Sequence, residues 1–251
     1  MQGVHGEQDT VERALQRSLM YRFLSVAWRP PAEGFAAATQ DGAWRAAQQA
    51  AQAAGEKAAA AVEAAREACA NLTPDALTDD YHRVFGHQVG LDCPLYEALY
   101  APGDVFGQAH CLADIAAFYR AFGLDVGEEV RERPDHLSLE LEFMHALEYR
   151  EAYARSHHGP AEVALLVDAQ RAFLRDHLAR WAPAFSRLVA RKASGPYGAL
   201  AALLSEWVAA ETRALDVGPV DDLELTPADA PGPEGAQFAC GGGACPLEPL
   251  S

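Results

Sequence analysis

The chain has 251 residues, of which 50% are hydrophobic and 22% charged, so it can bury the core of one large domain. Its 20 basic and 36 acidic residues give a formal net charge of −16. This charge argues against nucleic-acid binding, which needs a basic surface to neutralise phosphates. It is compatible with a cationic partner, and it also serves solubility.

The N-terminal segment and the cysteines bear on the cellular compartment. Residues 1–23 are polar and include Glu7, Asp9 and Glu12, which is unlike a secretory signal. No apolar run approaches the roughly 18 residues of a membrane span, so we expect no stable membrane insertion. The five cysteines are odd in number and scattered, unlike a disulfide scaffold. The expectation is a cytoplasmic protein with reduced thiols.

Strand signals are nearly absent, and helical periodicity dominates the first third of the chain. Thr10–Trp28 predicts a helix that ends before Pro30-Pro31. The alanine-rich segment Phe35–Ala70 predicts helix with a break at Asp41-Gly42 or Gly55, a flexible linker being the alternative. The apolar stripe expected on the first helix consists of Val11, Leu15, Leu19, Phe23 and Val26.

The middle of the chain predicts two helices around a long loop. A helix capped by Thr73 is expected to end at Phe85. The segment His87–Gln108 contains several glycines and prolines and predicts a loop, of a length that is often functional. Helix resumes over His110–Phe122 and stops at Gly123.

The second half predicts four helices. The helix starting at Pro134 and reaching about His157 has apolar residues around most of its circumference, so it should be central and buried. Further helices are expected over Ala161 to about Leu178, from Pro183, and over Tyr197–Leu215. The predicted fold class is therefore all-α, with a single domain of about eight or nine helices over residues 1–216.

Residues 217–251 form a predicted tail, rich in proline, glycine and acids, that is extended or disordered. Its Cys240 and Cys245 are weak candidates for metal ligands, because they lack the Cys-x2-Cys spacing of zinc knuckles. We expect no metal and favour a free, reducible pair. The alternative is a metal shared with Cys93 or Cys111.

The densest cluster of reactive side chains lies on the predicted central helix. Glu142 and His145 form a Glu-x-x-His pair of the kind found in di-iron bundles, but no second pair is present. Nucleophile motifs and phosphate-binding glycine loops are also absent. His136 and Glu140 share one helix face, and Asp135 precedes them. These three residues are either a binding site or a structural cap and hydrogen bond.

Several stretches carry a resemblance to a known family, namely YHRVFG from Tyr81, CPLYEALY, ADIAAFYRAFGLDVGE and ERPDHLSLELEFMHALEYREAY, which reaches Tyr153. The most specific element is Arg133-Pro134-Asp135-His136 followed by Glu140, and FLRDHLARWAPAF contributes further downstream. On these residues the chain resembles the TorD/DmsD/NarJ family of molybdoenzyme maturation chaperones. Its Cys-Pro-x-Tyr-Glu loop resembles the branch that serves periplasmic enzymes of the dimethylsulfide, ethylbenzene, chlorate or selenate type.

The resemblance implies an all-helical, cytoplasmic protein without enzymatic turnover or a cofactor of its own, acting as a monomer or homodimer. Its partner would be the apo catalytic subunit of a molybdopterin-dependent oxidoreductase, bound through the twin-arginine signal peptide or another segment until the cofactor is inserted and export proceeds. The implied client-binding residues are Asp135, His136, Glu140, Pro134, Tyr81, Phe85, Pro94, Tyr96, Glu97 and Tyr100.

Elementary chemistry agrees with this implication. A twin-arginine signal needs carboxylates for its guanidinium groups and an apolar groove for its hydrophobic stretch. Asp135, Glu97 and Glu140 can supply carboxylates, while the aromatic residues, Phe106 among them, supply either a groove or ordinary core packing. Two other functions stay open: a metal-dependent helical enzyme using Glu142 and His145, and a helical scaffold with an unrelated partner.

Overall fold

The computed structural model confirms the all-α prediction. It describes residues 2–31, 41–70, 72–86, 93–100, 105–127, 132–218 and 220. The helices in these residues are α1 (Gln2–Ala27), α2 (Asp41–Ala54), α3 (Glu56–Cys69), α4 (Pro74–Phe85), α5 (Val105–Ala121), α6 (Leu137–His157), α7 (Pro160–Phe173), α8 (Ala179–Lys192) and α9 (Pro196–Ala214). A 3-10 turn spans Glu97–Leu99, and a π-helical turn over Leu174–Leu178 joins α7 to α8.

One hydrophobic core runs through the helical body. Helix α1 packs along α6, while α9 packs against α8 and α3, and α2 lies against α1 and α3. The largest fully buried side chains are the indoles of Trp28, Trp181 and Trp207. Burying such large aromatic surfaces dominates the energetics of a core. The predicted central helix is confirmed, because residues on most sides of α6 are buried.

The helix breaks predicted at Gly55 and Gly123 are confirmed, and the backbone at both positions favours glycine. Gly55 separates α2 from α3 with a φ of 128°. Gly123 follows α5 with a φ of 63°. Both values lie in the region that side chains with a Cβ avoid, so glycine is the favoured residue at each break. The predicted tail lies almost wholly outside the described residues, and Cys240 and Cys245 lie outside them as well.

The stripe predicted for the first helix is confirmed at its C-terminal end and wrong before it. Phe23 is buried and Val26 packs against the core, whereas Leu15 and Leu19 are 38% and 46% exposed, and helix α1 begins at Gln2 rather than Thr10. In the N-terminal part the buried side chains are instead those of Ala14, Ser18 and Tyr21. The small side chains among these allow α1 to approach α6 closely, and this close packing outweighs the burial of two leucines.

Three other boundaries differ from the sequence prediction. Helix α5 begins at Val105, inside the predicted loop, because a glycine within a helix costs only about 1 kcal/mol. Helix α6 begins at Leu137 instead of Pro134. The helix expected to start at Pro183 continues instead from α7 through the π turn. Burial of Trp181 and Phe185 on that continuous helix offsets the cost of its internal proline.

A buried ion cluster joins three helices. Arg17 on α1 lies 2.8 Å from the Glu148 carboxylate on α6 and 2.9 Å from that of Glu211 on α9. Glu148 is fully buried, and Glu211 is nearly so. Burial raises the pKa of Glu148, and the Arg17 guanidinium opposes that rise. No sequence spacing indicated this cluster, since its members lie on helices far apart in the chain.

No helix among the described residues has the length and apolar character needed to span a membrane.

Candidate functional site

The loop before α5 and the start of α6, both singled out by the sequence, lie side by side. Tyr96 and His136 pair in an isolated antiparallel bridge. The amide of Glu97 donates to the carbonyl of Asp135 at 2.9 Å. Residues 94–100 and 132–140 are called the junction below. The bridge explains how one loop and one helix start become a single structural unit.

Asp135 is the electrostatic centre of the junction and has no exposed surface. The Arg133 guanidinium donates to both of its oxygens, from Nε at 2.9 Å and from Nη2 at 2.5 Å. The amide of Ala98 donates to Oδ2 at 3.1 Å. The same guanidinium lies 4.8 Å from the centre of the Tyr96 ring, within the range of a cation–π contact. A buried carboxylate therefore holds an arginine that is itself partly exposed.

His136 is a buried N-cap rather than a surface residue. Its Nδ1 accepts a hydrogen bond from the amide of Ser138 at 3.1 Å and lies 2.8 Å from the Ser138 hydroxyl. Burial lowers the pKa of His136 to about 4, so the ring is neutral at pH 7. The structure therefore gives His136, rather than Asp135, the capping role at the start of α6.

Glu140 lies one turn further along α6 and is fully buried. Trp181 on α8 donates its indole N–H to Glu140 Oε2 at 3.0 Å. Burial, followed by the nearby charge of Glu97, raises the pKa of Glu140 well above its ordinary value. The arrangement stabilises a protonated carboxyl beneath the junction.

The remaining loop residues of the predicted site split between surface and core. The Tyr96 hydroxyl donates to Glu132 at 2.5 Å on the half-buried side of the junction. Tyr100 is buried, donates to the carbonyl of Pro94 at 2.8 Å and packs against Trp181. Of the aromatic residues in this part of the chain, Phe106 is the most exposed, at 82%.

Tyr81 and Phe85 belong to an aromatic cluster in the core. Their ring centres are 4.9 Å apart, and Phe85 packs edge-on against Tyr197 at 5.3 Å. Trp28 and Phe185 complete the same cluster. These contacts account for both residues as core aromatics, the alternative that the sequence left open.

Three further side chains meet Glu97 and Glu140; sequence reasoning missed His177 and Trp181, and it considered Cys111 only as a metal ligand shared with the tail cysteines. His177 on the π turn lies 3.1 Å from the Glu97 carboxylate, Cys111 on α5 lies beside Glu97, and Trp181 bonds Glu140. A signal was present, because His177 and Trp181 both fall in the FLRDHLARWAPAF run that resembles a family segment. Among the described residues, Glu97, Cys111 and His177 form a group that could hold a metal ion.

The Glu-x-x-His pair does not form a catalytic centre in the described residues. Glu142 forms an ion pair with Arg29, and His145 Nδ1 lies 2.7 Å from the Ser18 hydroxyl. Both partners come from the region of α1, and burial lowers the pKa of His145. Each residue is therefore satisfied by structural contacts between helices.

A groove of about 350 Å³ opens beside the junction, between α6 and the segment that follows α5. Its apolar wall includes Tyr119, Leu124, Leu139 and Phe143. Tyr119 donates to the carbonyl of Pro134 at 2.8 Å, which ties the groove to the junction. The charged residues Arg22, Asp125, Glu142 and Arg150 also line the groove. An apolar wall next to a guanidinium-binding carboxylate suits a ligand with a basic part and a hydrophobic part.

Comparison with known proteins places the chain in a family. A family model described as nitrate reductase delta subunit matches residues 46–187, more than half of the chain. The chain is 36% identical over 117 residues to the selenate reductase assembly chaperone protein of Thauera selenatis. The alignment spans 46% of this chain and 58% of that relative. These matches confirm the resemblance and the prediction of a non-catalytic protein: the chain belongs to the nitrate reductase delta subunit family, the NarJ- and TorD-type maturation chaperones.

Proposed function

We propose that the protein is a cytoplasmic chaperone that binds the apo catalytic subunit of a molybdopterin-dependent oxidoreductase through its twin-arginine signal peptide. It holds that subunit until the cofactor is inserted and export proceeds. Family membership supports the chaperone role, and the name of the Thauera selenatis relative supports a molybdoenzyme of the selenate reductase type as client.

The main support for the proposal is the contact between the Arg133 guanidinium and the Asp135 carboxylate. Arg133 makes two charge-assisted hydrogen bonds to this carboxylate and lies over the Tyr96 ring. This combination of a fork-shaped carboxylate contact and an aromatic face is the preferred environment of a guanidinium. A client arginine that exchanges with Arg133 finds the same environment already assembled.

Burial divides the predicted site residues into two groups. Tyr96 and Arg133 reach the surface of the junction, where Tyr96 contacts the client and Arg133 covers Asp135. Asp135 accepts the client guanidinium once Arg133 moves aside, while His136 and Glu140 act from below as positioning residues. This division follows from exposure, since a side chain with no accessible surface meets a peptide only after its cover moves.

The apolar stretch of the signal peptide occupies the groove beside the junction. Its lining of Tyr119, Leu139 and Phe143 matches an apolar segment, as in other grooves that bind amphipathic helices. The net charge of −16 attracts the basic end of the peptide and accelerates encounter, an effect that salt weakens.

Titration calorimetry tests the proposal with a synthetic peptide, the twin-arginine signal sequence of a selenate reductase-type catalytic subunit. We expect saturable binding that weakens as salt concentration rises. A matched peptide with both arginines replaced by glutamine should bind at least about tenfold more weakly, the loss of one charge-assisted contact of about 1.5–3 kcal/mol. Equal affinity for the two peptides contradicts the proposed role of the junction.

A further inference from the structure

Three side chains from distant parts of the sequence converge beneath the junction. Glu97 comes from the 3-10 turn, Cys111 from α5 and His177 from the π turn. One ligand atom from each lies within 4.8 Å of the other two. Glu97 and His177 are buried, and Cys111 is half-buried. We call this set the Glu-Cys-His cluster. π-Helical turns inside α-helices often mark functional sites, and here the turn carries the histidine.

Two buried polar atoms at the cluster lack the partners that burial normally demands. His177 Nδ1 is near Glu97, but Nε2 makes no hydrogen bond with the described residues, although the Asp114 carboxylate lies 3.4 Å away. Glu140 Oε1 has no hydrogen-bond donor among them other than a proton shared with the neighbouring Glu97 carboxyl. Buried polar atoms left unsatisfied in this way are rare and call for a physical explanation.

The carboxyl groups around the cluster also favour a bound cation. Glu97 and Glu140 carry interacting carboxyl groups, and Asp114 borders the cluster on α5. Arg133 does not compensate them, because it is bound to Asp135. Neighbouring buried carboxylates are costly unless a proton or a cation lies between them. A divalent cation bound by Glu97, Cys111 and His177 would offset the negative charge of these carboxylates.

The same surroundings exclude a nucleophilic role for the thiol. Burial, followed by the charges of Glu97 and Glu140, raises the pKa of Cys111. A reactive cysteine requires the opposite, an electropositive environment that favours the thiolate. A metal ion would supply that positive charge, and a thiol, an imidazole and a carboxylate are all common zinc ligands.

We propose that Glu97, Cys111 and His177 bind a Zn²⁺ ion, with a water molecule in the fourth position and the Glu140 carboxyl beside Glu97 as a supporting group. Sulfur, nitrogen and oxygen ligands together suit this borderline-soft ion. Zinc bonds of about 2.0–2.3 Å require the side chains to close in by about an ångström. On binding, Cys111 transfers its thiol proton to solvent, so affinity rises with pH. The ion would join the 3-10 turn, α5 and the π turn.

Cobalt spectroscopy tests the site directly, with Co²⁺ as a probe for Zn²⁺. After treatment with a chelator and its removal, the protein should bind about one equivalent of Co²⁺ and show thiolate-to-cobalt absorption in the near ultraviolet. Zn²⁺ should displace the Co²⁺ and raise the melting temperature. Cys111→Ser should abolish the thiolate absorption, and Glu140→Gln should weaken Zn²⁺ binding by about tenfold or more.

Two control variants separate this site from other thiols. Cys69→Ser removes a half-buried cysteine at the end of α3 and should leave Co²⁺ binding unchanged. The double variant Cys240→Ser/Cys245→Ser should also leave it unchanged. Loss of binding in this double variant, with retention in Cys111→Ser, would assign the metal to the tail and overturn the proposal.

A measurement on the wild-type protein keeps the test independent of variant folding. X-ray absorption at the zinc edge of the wild-type protein loaded with one equivalent of Zn²⁺ should show one sulfur ligand at about 2.3 Å beside nitrogen and oxygen ligands at about 2.0–2.2 Å. A zinc spectrum without a sulfur ligand, or the absence of Co²⁺ binding to the wild type at pH 8, contradicts the proposal. Either result would identify the cluster as a proton-sharing network.

Discussion

Asp135, fully buried, binds through both carboxylate oxygens the guanidinium of Arg133, whose side chain is 44% exposed. A cation at the surface is thus held by an anion beneath it. The amide of Ala98 keeps the carboxylate in place from the other side. Under the proposed function, Arg133 and a client arginine compete for one carboxylate.

Removal of Arg133 tests this competition. Arg133→Ala should bind the twin-arginine peptide about tenfold more tightly, because the peptide no longer displaces an internal arginine from Asp135. Titration calorimetry at low salt measures the change. Arg13→Ala is the matched control, since it removes an exposed arginine paired with Asp9 on α1. Weaker binding by Arg133→Ala than by Arg13→Ala would refute the competition.

His136 offers a test of its structural role. His136→Ala should lower the free energy of unfolding by about 1–2 kcal/mol, because the helix loses its N-cap acceptor for Ser138. His136→Asn supplies another cap acceptor and should recover part of that loss. Urea denaturation at pH 7 measures both variants. Unchanged stability of His136→Ala would show that the cap contributes nothing.

The same residue predicts a pH dependence. Because the pKa of His136 falls to about 4 in the folded protein, the unfolded chain binds a proton between pH 6.5 and 4 that the folded chain does not. The stability from neutral His136 is present above pH 6.5 and declines as the pH falls toward 4. Between pH 7 and pH 5, the wild type should lose about 1–2 kcal/mol relative to His136→Asn. Parallel pH profiles for the two proteins would contradict this.

The sequence predicted the fold well where local chemistry decides the outcome. Gly55 and Gly123 mark real breaks because their backbone angles favour glycine. The helix start predicted at Pro183 was wrong. Local propensity favours proline in the first turn of a helix, but the burial of Trp181 stabilises a continuous helix through Pro183. Leu15 was misassigned for a similar reason, because periodicity alone cannot choose between two adjacent stripes of one helix.

The candidate site was predictable in part. The Asp135, His136 and Glu140 positions follow from one short motif on one helix start. Cys111 and His177 meet Glu97 only through tertiary packing, so no spacing in the sequence connects them. The burial of Asp135 and Glu140 could not be predicted from the sequence either. An acidic residue at a helix start is ordinarily exposed and stabilised by the helix dipole.

The buried ion cluster of α1, α6 and α9 predicts a large effect from one surface-reaching arginine. Arg17→Ala should destabilise the protein by about 3–5 kcal/mol, since it leaves Glu148 and Glu211 buried without a cation. Arg13→Ala, one turn away, removes an exposed pair and should cost at most about 1 kcal/mol. Chemical denaturation of both variants gives the comparison. Equal, small effects would show that the carboxylates are accommodated without Arg17.

The groove beside the junction can be filled without disturbing Asp135. Ala146 lies on its wall, and a tryptophan there would occupy the space proposed for the apolar stretch of the signal peptide. Ala146→Trp should weaken the twin-arginine peptide by about tenfold or more while leaving the melting temperature nearly unchanged, because the groove is open to solvent. Ala60→Trp adds the same side chain at an exposed position on α3 and should bind the peptide normally.

A shortened peptide makes the groove experiment specific. A peptide that keeps the two arginines but lacks the apolar stretch should bind Ala146→Trp and the wild type with equal, weaker affinity, since it uses only the junction. Calorimetry with both peptides on the three proteins completes the comparison. If Ala146→Trp weakens the short and long peptides equally, the tryptophan disturbs the junction itself. If it weakens neither, the apolar stretch binds elsewhere and the proposed use of the groove is wrong.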